Sequence, residues 1–214
     1  MALVVIGDQN VYGFPVALIA QATPPPVGPP WPNQEASVQM IAPMGALPDG
    51  TYEVVSVSVY ASVLALGGPV TMEFALYTDL AVTPNTQIAN SYAAQVFPIN
   101  SAASWKTMVY PSPRPIITHV NPFTAAHICI NATGGRVGSN VTYYWDNGVT
   151  PATVFDFQKN DPAANGLFSN PWGLPAAPSI GSVSAYIIID VPNRCELRPP
   201  EKYHRLIGHR GGQR

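Results

Sequence analysis

The sequence predicts an all-β chain: an antiparallel β-sandwich with extended N- and C-terminal arms. Short segments alternate apolar and polar residues with a period of two, and Gly, Pro and Asn turns separate them. No stretch of a dozen residues carries an i, i+3, i+4 apolar stripe free of Pro or Gly. At 214 residues such a sandwich forms as one domain. We divide the chain into an N-terminal segment with a Pro-rich arm (1–35), a sandwich domain (36–191) and a basic C-terminal arm (192–214).

The opening run MALVVIGDQNVYGF has no basic n-region, and its apolar stretch breaks at Gly7-Asp8-Gln9-Asn10. It does not read as a signal peptide, so the chain reads as made and kept in a cytoplasm. Residues 22–33, ATPPPVGPPWPN, hold six prolines. Each removes a backbone donor and fixes φ, which excludes a regular helix or an inner strand and leaves an extended arm. Trp31 within it either anchors the arm in a pocket of a neighbouring surface or folds back onto its own domain.

The strands follow. In TYEVVSVSVYASV (51–63), Val55, Val57, Val59, Ala61 and Val63 share one face, opposite Tyr52, Val54, Ser56, Ser58, Tyr60 and Ser62. TMEFALYTD (71–79) sets Met72, Phe74 and Leu76 against Glu73, Ala75 and Tyr77. AHICIN (126–131) sets Ala126, Ile128 and Ile130 against His127, Cys129 and Asn131, and both strands read as half-buried. VTYYWDNG (141–148) alternates Val141, Tyr143 and Trp145 with Thr142, Tyr144 and Asp146, and SVSAYIIIDV (182–191) closes with Val183, Ala185, Ile187, Ile189 and Val191 on one side. Turn signals lie at Pro48-Asp49-Gly50, Gly67-Gly68-Pro69, Pro84-Asn85, Gly134-Gly135, Asn147-Gly148, Asn160-Asp161-Pro162 and Asn165-Gly166.

The run GGPVTMEFALYTDLAVTPNTQIANS (67–91) and the later NPFTAAHICINATGG (121–135) resemble strand-and-turn patterns of jelly-roll domains. Such domains occur in structural proteins of tailed-phage particles and in some extracellular carbohydrate-binding modules. The resemblance implies a jelly-roll-like topology and a virion setting, and supplies no catalytic residue.

Chemistry is sparse. There is no Gly-x-Ser-x-Gly elbow, and His119, His127, His204 and His209 have no local signature linking them to a nucleophile. His119 and His127 read as surface or edge imidazoles. His127 and Cys129 offer two zinc ligands, short of a site, and the Asp and Asn pairs read as turn chemistry rather than a calcium loop. Cys129 reads as a buried free thiol. We expect no enzyme, metal or cofactor. Carbohydrate recognition is the main rival: Tyr143, Tyr144, Trp145 and Trp172 offer aromatic platforms, although alternation turns Tyr143 and Trp145 toward the core and only Tyr144 outward.

Charge points to partners. Charged residues make up 10% of the chain, which suits a subunit covered by neighbours; a secreted domain with a Ser/Thr/Asn-rich skin is the competing reading. Residues 1–190 hold four Lys or Arg and ten Asp or Glu, net −6, whereas 191–214 hold six and two, net +4. The tail reads as a disordered end, as a weak nucleic-acid footprint, or as an arm reaching an adjacent subunit. We favour the arm, pairing Arg194, Arg198, Arg205 and Arg210 with acidic patches while Tyr203 adds apolar contact. The sequence expectation is therefore a non-enzymatic structural subunit of a virus particle, a phage capsid decoration or cement protein or a tail component. Its partners are other copies of itself and other virion proteins such as the major capsid protein, with no membrane and no direct nucleic-acid contact. A carbohydrate- or receptor-binding sandwich is the alternative.

Overall fold

The computed structural model describes residues 2–19, 33–40, 47–80, 83–120, 126–135, 139–146, 155–161, 177–180 and 182–192, and none of them is helical. The strands are, in order, β1 (Ala2–Gly7), β2 (Phe14–Ile19), β3 (Asn33–Met40), β4 (Gly50–Leu64), β5 (Val70–Leu80), β6 (Thr83–Gln87), β7 (Ala93–Phe97) and β8 (Ser101–Val109). They continue with β9 (Ile116–His119), β10 (Ala126–Gly134), β11 (Asn140–Asp146), β12 (Phe155–Asp161), β13 (Ala177–Ile180), β14 (Ser182–Val183) and β15 (Ala185–Val191). The all-β, two-sheet antiparallel prediction is borne out.

The first sheet is built around β4. Along one side β4 pairs with β15 at 53–59 and with β11 at 61–64; along the other it pairs with β9 at 50–53 and with β8 at 56–63. β1 lies outside β15, β2 lies outside β11, and β14 joins the end of β11. The second sheet runs β13-β12-β3-β10-β5, with β7 and β6 sharing the far side of β5. One apolar core spans the two, with Val54, Val57, Val59, Tyr143 and Ile187 of the first sheet packed in the same cluster as Val38, Phe74, Leu76 and Ile128 of the second. β1 and β2, which belong to the 1–35 segment of the sequence division, are thus edges of the first sheet.

Regular alternation along β4 would turn Val55 inward with Val57, and Glu53 after it. Instead, the pairing with β15 slips by one residue: Ile188 faces Ser56 and Ile189 faces Val54, leaving Val55 as a bulge. Tyr52 and Val54 therefore join the core at 6% and 0% exposure, which corrects the placement of those two on the polar face. The bulge sits where β4 exchanges β8 for β9. Its freed backbone groups are met by the connecting loop: Tyr110 N–H donates to Val55 O at 2.9 Å, and Val54 N–H donates to Pro115 O at 2.9 Å. β5 has a similar changeover between β7 and β6. Leu76 O accepts from Ile88 N–H at 2.8 Å, and Leu76 N–H donates to Ser91 Oγ at 3.0 Å.

The second sheet departs from the half-buried expectation. Glu73, Ala75 and Tyr77 on β5, His127, Cys129 and Asn131 on β10, and Ser37 on β3 face away from the inter-sheet core, yet each is buried at 6% exposure or less. Period-two alternation says which residues share a face but not whether that face is covered. The turn prediction holds at Gly67-Gly68, while Gly134 is the last residue of β10, where its φ of 86° and close approach to Pro69 O, 2.5 Å from where a Cβ would stand, require glycine. Pro84-Asn85 lies within β6, and Asn160-Asp161 ends β12; these are strand, because edge positions accept proline.

Candidate functional site

The outer face of the first sheet gathers aromatic, hydroxyl and exposed apolar side chains. The register sets Tyr60 opposite Trp105, and Ser58 between Tyr186 and Thr107. Cross-strand neighbours on one face approach closely enough for rings to touch. Tyr60 meets Trp105 and Tyr144 with ring centroids 5.5 Å apart in both pairs, and Trp105 meets Tyr186 at 4.9 Å; all three contacts are edge-to-face. Four half-buried aromatic rings thus come together from four strands. Hydroxyls surround them: Ser58 Oγ and Thr107 Oγ1 are 2.8 Å apart, and Ser62 Oγ lies 3.4 Å from Tyr144 OH.

Next to the rings the face turns apolar. Val109 pairs with Ser56, Ser56 with Ile188, and Ile188 with Val5. One row further, Ile116, Glu53, Asp190 and Leu3 line up. Val109, Leu3 and Ile116 are 68%, 65% and 57% exposed. Charge on this face stands at that last row and at Asp146, which shares the outward phase of Tyr144 on β11. Glu53 and Asp190 are directly opposite each other, and with Thr51 and Pro192 they line a recess of about 190 Å³. Arg114 Nη1 lies 3.6 Å from Glu53 Oε2, an exposed pair worth little in stability.

The buried titratable groups serve the fold. Lys106, 5% exposed, points inward from β8, and its ammonium donates to Ser101 Oγ, Ala102 O and Ser104 Oγ at 2.7, 3.1 and 2.7 Å; burial lowers its pKa. Burial also raises the Tyr12 hydroxyl, which donates to the Asp8 carboxylate. His127 is 0% exposed on the doubly paired β10, which corrects its reading as a surface or edge imidazole, and His119, on the edge strand β9, is not at the surface but 2% exposed. His119 shares the inward face of β9 with Ile117, while His127 lies on the covered face of the second sheet. Cys129 is buried and outside any disulfide, as expected. Among the described residues no group of three or more metal-ligating side chains comes together.

Tyr143 is buried and Trp145 packs partly against the core, as alternation predicts, while Tyr144 faces outward into the ring cluster. Trp31, Arg194, Arg198, Tyr203, Arg205 and Arg210 lie outside the described residues, as does Trp172. The sequence reading missed Trp105 and Tyr186 as partners of Tyr144. Their only local signal is outward phase on a strand, and pairing register is needed to bring them together. Compared with protein-family models, with curated proteins and with solved structures, the chain matches none.

Glu73 carries a testable pH dependence. Tyr92 OH donates to its Oε1 at 2.7 Å and Asn131 Nδ2 to its Oε2 at 3.1 Å. Burial nevertheless raises its carboxyl above the ordinary 4.5, and the two hydrogen bonds only oppose that rise. Between 4.5 and the raised value, the native state holds a proton that the unfolded chain has released. The stabilisation is complete below 4.5 and is lost as pH rises through the native value. Denaturant titrations across this window should show stability falling with pH in the parent protein and a flatter profile in Glu73→Gln; equal slopes would contradict the assignment.

Proposed function

We propose that this chain is a non-enzymatic structural subunit that works through contact with other protein surfaces, using the outer face of its first sheet. The observation that carries this is the exposure of Val109, Leu3 and Ile116 on a face with few charged side chains, Glu53, Asp190 and Arg114 together and Asp146 on β11. Apolar residues clustered on an ordered sheet favour association, because covering them removes apolar surface from water. The low charge content of the whole chain supports the same reading. The setting we propose is a virus particle, where the chain serves as a capsid decoration or cement protein or a tail component. The likeness of 67–91 and 121–135 to jelly-roll domains of tailed-phage structural proteins supports it. Its partners are then further copies of itself and other virion proteins.

A second reading rests on the four rings. Tyr60, Trp105, Tyr144 and Tyr186, with Ser62, Thr107 and Thr142 beside them, have the chemistry that takes a neutral glycan, apolar ring faces flanked by hydroxyls.

Sedimentation velocity on the purified chain tests the first reading. The parent should form higher-order species, and the double variant Val109→Glu, Ile116→Glu should lose those built through this face, with its melting temperature kept within a few degrees because both sites are exposed. Unchanged assembly in the double variant would overturn the choice of face. Chromatography on immobilised glycans separates the two readings. A structural subunit passes without retardation, whereas retardation that disappears in Trp105→Ala would put the glycan reading in its place.

A further inference from the structure

We infer that β1 is a docking edge for β1 of a second copy, so that two first sheets join across a two-fold axis into one continuous sheet. This rests on the reading of the chain as an assembly subunit and names the contact that starts the assembly.

Backbone parity shows what β1 offers. Tyr60 N–H donates to Ser184 O at 2.8 Å, so Ser184, Tyr186 and Ile188 direct their backbone groups at β4, leaving those of Ala185, Ile187 and Ile189 for β1. The bond from Asp8 N–H to Ala185 O, 2.7 Å, gives the same parity independently. In the register of β1 with β15, Ala2, Val4 and Ile6 then bond to β15, and Leu3 and Val5 turn their N–H and C=O groups toward the open side. Among the described residues no strand pairs with that side.

An open edge is a template for another strand, and proteins guard such edges with proline, inward charges or short length. The other edges described here carry those guards. β2 contains Pro15, β6 contains Pro84 and β13 contains Pro178. β7 runs into Pro98, β9 has four residues and follows Pro115, and β8 holds the inward-pointing, buried Lys106. β1 reads ALVVIG, without proline or charge. The acidic residue that follows, Asp8, is 8% exposed and bound within its own loop by Asn10 N–H at 2.9 Å and by Tyr12 OH, so it does not guard the edge.

The partner follows from self-complementarity. A two-fold axis at Val4 sets Leu3 against Val5 of the second copy in both directions, joining the outward-directed groups in two hydrogen-bonded pairs. Directly opposed residues share a face, so the core-side stripe of Ala2, Val4 and Ile6 and the outer stripe of Leu3 and Val5 both continue across the junction. The row of Val109, Ser56, Ile188 and Val5 then continues into the second copy's row of Leu3, Asp190, Glu53 and Ile116.

Hydrogen exchange on the unaltered full chain tests this without any substitution. The Leu3 and Val5 amides should exchange at least about tenfold more slowly at near-millimolar than at low-micromolar concentration, while those of Val4 and Ile6 stay protected throughout. Rapid exchange of Leu3 and Val5 at both concentrations, or protection that ignores concentration, overturns the proposal. Val5→Pro provides the second arm, since it removes an outward donor at an edge position that tolerates proline. It should remain folded and lose the two-fold contact while keeping association through the outer face. The Val109→Glu, Ile116→Glu variant should in turn stop at dimers. Dimers that survive Val5→Pro defeat the edge alone, whereas higher-order species that survive the double variant defeat the proposed face alone.

Discussion

The phase of β4 is the constraint on which the rest depends. This 15-residue strand is paired along both sides by four others, and its side chains must serve one core along its whole length. A strand with Val57, Val59, Ala61 and Val63 inward turns Glu53 inward as well unless the alternation slips, and burying that carboxylate without a cation is costly. The bulge at Val55 supplies the slip. It brings Tyr52 and Val54 to the core, puts Glu53 at the surface beside Arg114, and fixes where β8 yields to β9. Because β8, β9, β11 and β15 all take their register from β4, the outer face with its rings and apolar rows is a consequence of the same slip.

The two sheets use their outer faces differently. The centre of the second sheet is buried on both sides, with Glu73, Tyr92 and Asn131 satisfying one another's polar groups. A covered face of this kind fixes the fold and offers little for recognition. The first sheet keeps its outer face open, with small hydroxyls between large rings and exposed Val, Leu and Ile side chains. Apart from Glu53, Asp190, Arg114 and Asp146, polar character there comes from Ser and Thr, which can be covered at far smaller desolvation cost than ions.

Much of the fold was legible because long strands with one apolar face announce themselves. β5, β10, β11 and β15 were read with the right inward residues, since Phe74, Ile128, Tyr143 and Ile187 alternate without interruption. β4 was read correctly from Val57 onward and wrongly before it, because a bulge leaves no mark in a run of consecutive valines. β8 was invisible for a different reason: its core-side positions are Ser104, which is exposed, Lys106 and Met108, so its alternation carries no apolar stripe. The open face was only partly legible. Tyr60 and Tyr144 could be placed outward by phase, but Trp105 and Tyr186 join them through pairings across more than forty residues of sequence, which no local pattern contains. That β1 stands at an edge also depended on knowing its neighbours.

Two single-residue deletions compared by denaturant unfolding test the role of β4 most directly. Removing Val55 restores regular alternation with Tyr52, Val54, Val57 and Val59 still inward and the partners of β15 unchanged, at the loss of one backbone bond from Tyr110. Removing Ser58 inverts one half of the strand against the other. The expected result is a cooperatively folded protein lacking Val55, destabilised by about 1–3 kcal/mol, and no folded protein lacking Ser58. Loss of folding without Val55, or a stable fold without Ser58, would contradict the phase of β4 as the organising constraint.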